Sequence, residues 1–188
     1  MNMDLYDLAK EQFLLYEHKY YDEPEGNIIV LAGFNDDKVL TVGEKDFNKD
    51  IANKIFDFAD KTGKKVIVTW GGYSKEKFDS VICKGFDHLD LMQCYMLMLE
   101  SESFLSLAEV FRLIVSANDH IDKYSDIFTE MDSIRNRIFA IDYLMFHLLM
   151  HGNAEENLPA YIKASIQRYK IEKEIEMEII EERTRRRL

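Results

Sequence analysis

The stretch Val66-Ile67-Val68-Thr69-Trp70-Gly71-Gly72-Tyr73-Ser74-Lys75-Glu76-Lys77-Phe78-Asp79 decides how the chain is read. Its first five residues are β-branched or aromatic and suit a buried, pleated surface, which predicts a strand. Two glycines then allow backbone angles that other residues resist, and they end it. Ser74 is placed to cap a helix over 74–84 that turns Phe78 inward. A strand, a glycine break and a helix bring Asp79 to a strand end, where α/β proteins place their sites. Trp70 and Phe78 themselves read as core aromatics rather than as base-stacking ones.

Outward from this stretch the chain alternates between the two periodicities. Leu5, Leu8 and Ala9 predict a helix over 4–12, and the aromatic-rich Phe13–Tyr21 predicts the first strand. Turn residues 22–27 separate it from a nearly continuous apolar strand over 27–34, and Asn35–Lys38 turns the chain into a third strand over 39–42. An amphipathic helix follows over 46–62, with Ile51, Ile55, Phe58 and Ala59 on one face and Gly63 as its stop. His88–Leu91 reads as a short strand, 92–99 as helical, and Ser103 or Ser106 as the cap of a helix running to about Ser116. Residues 122–150 supply one long helix or two broken ones, stopped at Gly152-Asn153. Three strands, then strands alternating with helices, make an α/β domain with a mixed central sheet.

With 188 residues, 47% apolar and 31% charged, the chain can bury one sizeable core. A formal charge of −11 disfavours broad, non-specific binding to nucleic acid and leaves a local grip on one strand possible. Cys83 and Cys94 lack the spacing of a zinc knuckle or a redox pair and read as buried free thiols of a reducing compartment. The first ten residues lack the basic region and apolar core of a signal peptide. The longest apolar run, 139–150, carries Asp142 and His147 and is too short to span a bilayer. A cytoplasmic protein without membrane contact is expected.

From Phe13 to Met150 the pattern resembles the DEDD-type 3′–5′ exonucleases, which have an RNase H-like, three-layer fold. The focal stretch is similar to their second motif, a strand, a short turn and Phe-Asp. His88-Leu89-Asp90-Leu91 is similar to the strand that follows, and Ser106-Leu107-Ala108-Glu109-Val110 to the next helix. The resemblance implies an Asp-x-Glu on the first strand, an aspartate after the second motif, a late helical aspartate, and a Tyr or His base one turn before it. Together these carboxylates would hold Mg²⁺ or Mn²⁺ for phosphodiester cleavage.

On the first strand that pattern becomes Glu17-His18-Lys19. Shifting the frame to Glu23-Pro24-Glu25 would put proline in the strand and is rejected. Asp79 matches the second position. Asp142 is the choice for the late aspartate, because an aspartate in an apolar helix is costly to bury without a partner; Asp132, preceded by Phe128, is the runner-up. One turn before Asp142 stands Ile138, beside Arg137, so the base is missing. Glu17, Asp79 and Asp142 converging without cations would repel one another, and Lys19 on the same strand face as Glu17 could neutralise them. The expectation is a degenerate exonuclease-like protein without a cofactor, acting as a binding or assembly module. The alternative is a divergent 3′–5′ exonuclease on single-stranded DNA or RNA ends, using Mg²⁺ or Mn²⁺ at Glu17, Asp79 and Asp142.

Residues 1–152 form the predicted domain and 153–188 a charged, amphipathic helical extension. In its helix over 160–187, Ile162, Ile166, Tyr169, Ile175 and Ile179 form a narrow apolar seam flanked by Glu and Lys. That seam fits packing on a protein partner or a second copy, with its own domain as the alternative. Arg183, Arg185, Arg186 and Arg187 complement the helix dipole. His147 and His151 stand four apart and could face one metal, although no glutamate lies between them in the metalloprotease position. His88-Leu89-Asp90 reads as a strand-end histidine and a capping aspartate. No phosphate-binding glycine loop, serine nucleophile elbow or Cys-His signature is present in the sequence.

Overall fold

Alternation along β1, Phe13–Tyr21, sends Phe13 and Leu15 to one face of a sheet and Leu14 and Tyr16 to the other, all four fully buried. This computed structural model describes residues 5–21, 26–36, 38–44, 49–71, 86–118, 120, 122–151 and 153–185. The predicted helix over 74–84, with Phe78, Asp79 and Cys83, lies outside them.

Among the described residues, β1 is the centre of a five-stranded sheet. It pairs antiparallel with β2 (Gly26–Gly33), which pairs antiparallel with β3 (Val39–Glu44). On its other side β1 runs parallel to β4 (Val66–Thr69), and β4 parallel to β5 (Asp87–Asp90). The order is β3-β2-β1-β4-β5. Val66–Thr69 is therefore an interior strand, buried at every position, as its uninterrupted apolar run requires.

Helices cover both faces, giving three layers. On one face α2 (Lys49–Thr62) lays Ile55 and Ala59 over Leu14, Tyr16, Ile29, Leu31, Val42 and Ile67. Gly63, at φ +70°, ends α2, and the next amide, Lys64 N–H, donates to Ala59 O at 3.1 Å. The other face carries the larger core, in which Phe13, Leu15, Val30, Ala32, Val66, Val68 and Trp70 meet the remaining helices. These are α1 (Leu5–Gln12), α3 (Leu91–Met98), α4 (Leu107–Ala117), α5 (Ser125–Thr129), α6 (Ile134–Met150), α7 (Ala154–Asn157) and α8 (Ala160–Arg185). Residues 122–150 are divided: a 3₁₀ turn and the short α5 precede α6, which alone crosses the sheet. Trp70 is a core residue, its indole N–H donating to Leu105 O at 3.0 Å.

The predicted boundary at 152/153 does not coincide with an edge of the core. Ala154, Leu158, Ile162 and Ile166 are buried in the main cluster, because α8 opens by packing on α1 and β5. Among the described residues no helix is long and apolar enough to cross a membrane.

Candidate site at the carboxyl end of the central strands

The parallel pairing of β1 with β4 stops at Leu15, opposite Val68. Glu17 and Lys19 continue the face of Phe13 and Leu15 beyond that point. They therefore stand at the carboxyl edge of the parallel strands, under the first turns of α6.

Glu17 is almost wholly enclosed, with 4% of its side chain exposed. Its Oε2 lies 3.2 Å from Nη2 of Arg137 on α6, and its Oε1 accepts the His18 N–H at 3.3 Å. Lys19 donates from Nζ to the carbonyl of Asp132 at 2.6 Å and lies 3.9 Å from that residue's Oδ1. The Asp132 carboxylate is fully exposed, so this second contact fixes position more than it stabilises. The buried Glu17 has a planar, permanently charged guanidinium beside it, and such a group holds a carboxylate in one orientation.

Asp142 lies elsewhere. Its Oδ1 accepts the backbone N–H of Asn35 at 2.8 Å, in the turn after β2. The neighbouring Phe34 N–H donates to Phe13 O at 3.1 Å, which puts Asp142 beside the first residue of β1. Glu17 is four residues further along, about 13 Å at the rise of a strand. The exonuclease resemblance implies that the two converge, but α6 runs antiparallel to β1, so its start meets Glu17 and its middle meets the β2–β3 turn. Asp142 instead anchors that turn, whose Asn35 takes a left-handed φ of 45°. Burial pushes the Asp142 carboxyl above its ordinary range, and the Asn35 N–H partly offsets this. It borders an open groove of about 690 Å³ with Lys10, Asp36, Arg135 and Phe139.

Two cations about 4 Å apart need carboxylates that converge with open lone pairs. Glu17 and Asp142 do not fit that requirement: one is engaged by Arg137 and the other stands at the opposite end of the strand. Among the described residues no three His, Cys, Asp or Glu side chains are grouped to hold a metal.

Arg137 is the residue that sequence reasoning passed over. A signal was present, because Arg135 and Arg137 fall in the first turns of α6, where the helix dipole disfavours cations. Arginine placed there needs an acid from another element, and Glu17 is that acid for Arg137. Asp90 acts as the capping residue it was read to be: it accepts the N–H of Met92 at 3.1 Å and that of Gly71 at 2.9 Å. His88 pairs with Thr69 Oγ1 at 2.8 Å through Nε2, and its carbonyl accepts the Tyr161 hydroxyl at 2.6 Å.

The predicted seam of α8 is divided by burial. Ile162 and Ile166 are inside the domain core, and the Tyr169 hydroxyl donates to the Glu11 carboxylate of α1. Lys65 and Glu172, 3.9 Å apart, make the next link between helix and domain. Ile171 beside it, and Ile175 and Ile179 beyond it, are 47%, 51% and 44% exposed. Met177 and Ile180 of this outer part border a groove shared with Asp7, Lys10 and Glu11 of α1.

The chain matches no known protein-family model and no curated protein.

Proposed function

We propose that the chain is a degenerate member of the 3′–5′ exonuclease fold, RNase H-like in topology, which works as a binding or assembly module and does not trim nucleic acid. The observation that carries this reading is the Glu17–Arg137 pair, 3.2 Å apart where the exonuclease pattern needs a carboxylate open to cations. A guanidinium offers neutralising charge but neither an open coordination position nor a bound water to activate. Lys19 adds a second positive charge on the same strand face. The sheet order, with an antiparallel second strand and parallel fourth and fifth strands, agrees with the RNase H-like arrangement and supports the comparison.

Binding is assigned to the outer part of α8, whose exposed isoleucines lie between acidic and basic side chains. Burying an isoleucine contributes roughly 1.5–3 kcal/mol, so several such anchors can sustain an association after its entropic cost. The partner is a protein helix of similar character, and a second copy of this chain is the first to test.

The deciding experiment is incubation with labelled single-stranded DNA and RNA in Mg²⁺ and Mn²⁺. No 3′ trimming above background is expected. Trimming that Glu17→Gln or Asp79→Asn abolishes would establish the divergent metal-dependent exonuclease instead, whereas trimming that survives Asp79→Asn and Asp142→Asn marks a contaminant. Light scattering supplies the second arm: full-length protein should exceed the mass of one chain, and a monomer without partners would remove the assembly role.

A further inference from the structure

At the far end of α6, away from Glu17, two histidines stand together. His147 is in the last turn and His151 caps it, donating its N–H to His147 O at 2.8 Å. Their ring centres are 5.8 Å apart, with planes inclined by 50°.

The hydrogen bonds of Tyr95 fix which nitrogen of His147 is available. The Tyr95 hydroxyl lies 2.9 Å from Leu144 O, which can only accept, and 3.0 Å from His147 Nδ1. A phenol has one proton to give, and here it goes to the carbonyl. The hydroxyl therefore accepts from Nδ1–H, and a neutral imidazole with its proton on Nδ1 carries its lone pair on Nε2. That is the state of a metal-ligating histidine, whose second nitrogen donates to an orienting group. Tyr95 is fully buried, and its ring is stacked against His147 with centres 6.2 Å apart, so the orienting group is held rigidly.

His151 is exposed and can turn its ring. Two imidazoles sharing an ion at a tetrahedral angle, with metal–nitrogen bonds of about 2.1 Å, hold their ring centres about 5 Å apart. The observed spacing needs only a small side-chain adjustment to reach this. The carbonyl end of the α6 dipole also favours a cation at this place.

We propose that His147 Nε2 and His151 form a site for a borderline divalent transition-metal ion, Zn²⁺, Ni²⁺ or Cu²⁺, with water completing the coordination. Imidazole selects these ions over Mg²⁺ and Ca²⁺, which take oxygen ligands. Two protein ligands imply micromolar rather than nanomolar affinity.

The test is calorimetric titration of the full chain with NiCl₂ at pH 7.5, alongside His151→Ala and Tyr95→Phe. One micromolar site is expected, weakened at least tenfold by His151→Ala, a change at an exposed position that leaves the fold intact by circular dichroism. Tyr95→Phe should weaken binding several-fold without changing stoichiometry, because the ring loses the acceptor that fixes its tautomer. In the metal-free protein, ¹⁵N-edited spectra should report His147 with its proton on Nδ1. Absence of a Ni²⁺ site, undiminished affinity in His151→Ala, or a proton found on Nε2 would each overturn the proposal.

Discussion

Replacing Arg137 by methionine removes the cation from a carboxylate that is nearly closed to water, and the cost follows from the geometry. Glu17 exposes 4% of its side chain and Arg137 29%, with 3.2 Å between the charged atoms. At an effective dielectric of about 20 the Coulomb attraction is roughly 5 kcal/mol, from which both groups' desolvation must be subtracted. Breaking a fully buried pair from one side costs about 3–5 kcal/mol. Arg137 keeps some contact with solvent, so about 2–4 kcal/mol is expected for Arg137→Met. With a urea slope of about 2 kcal/mol/M, the midpoint falls by roughly 1–2 M. Glu17→Gln in the same background should recover much of the loss, because the buried charge that lost its guanidinium is then gone and the amide still accepts a hydrogen bond. Urea melts of wild type, both single variants and the double variant at pH 7 provide the cycle. An Arg137→Met midpoint equal to wild type, or a double variant no better than Arg137→Met, would refute the view that this pair holds α6 on β1.

Asp142→Asn tests the anchored turn through pH. Burial raises the folded carboxyl above its unfolded value of 3.8, so Asp142 contributes stability when protonated and loses it as pH rises through the folded value; the asparagine variant should gain on wild type from acid toward neutral pH, and a difference independent of pH in thermal melts would refute this. Truncation after Asn157 removes the buried Ile162 and Ile166, worth about 3–6 kcal/mol together, and should leave a chain that unfolds at low urea. Truncation after Lys170 should keep the domain's urea midpoint and reduce its mass in light scattering; a midpoint lowered as far as in the shorter chain would show that the outer helix belongs to the core. The Cys94 thiol, pushed up to about 12 mainly by burial, should resist alkylation at pH 8 in the folded protein and react in urea.

Local pattern carried much of the fold. The limits of β1 at Phe13 and Tyr21 follow from its aromatic-rich run, and Gly63 ends α2 because only the chain's own stop signal is needed there. The segment 122–133 is harder to read, because Tyr124, Ile127, Phe128 and Met131 stand at helical spacing and suit one helix as well as the turn and short α5 that form. The candidate site was legible to a lesser degree. Strand alternation put Glu17 and Lys19 on one face, as observed for the strand's buried neighbours. Spacing in sequence does not state which end of α6 lies over which end of β1, and that crossing decides whether Asp142 or Arg137 meets Glu17. The seam of α8 failed in its first half for a related reason. A stripe of isoleucines reads the same whether its cover comes from the same chain or from another, and here α1 and β5 supply it.

On the proposed reading, an ion pair standing where metal ligands would be needed limits what the strand end can do. A divalent cation held by carboxylates keeps coordination positions open and can shift toward a phosphate oxygen as charge develops there. Arg137 is fixed on α6 and ion-paired with Glu17, and a guanidinium has no coordination positions to offer. What it gains is registry: acid on β1 with base on α6 at Glu17–Arg137, and base on β1 with acid before α6 at Lys19–Asp132. A shift of the helix by one turn would bring Lys19 toward Arg137 and separate Arg137 from Glu17, so the two opposite pairings favour the observed crossing. On the proposed reading the charges that would have served catalysis fix the position of α6. That helix also carries His147 in its last turn, so the same registry sets where the histidine pair stands.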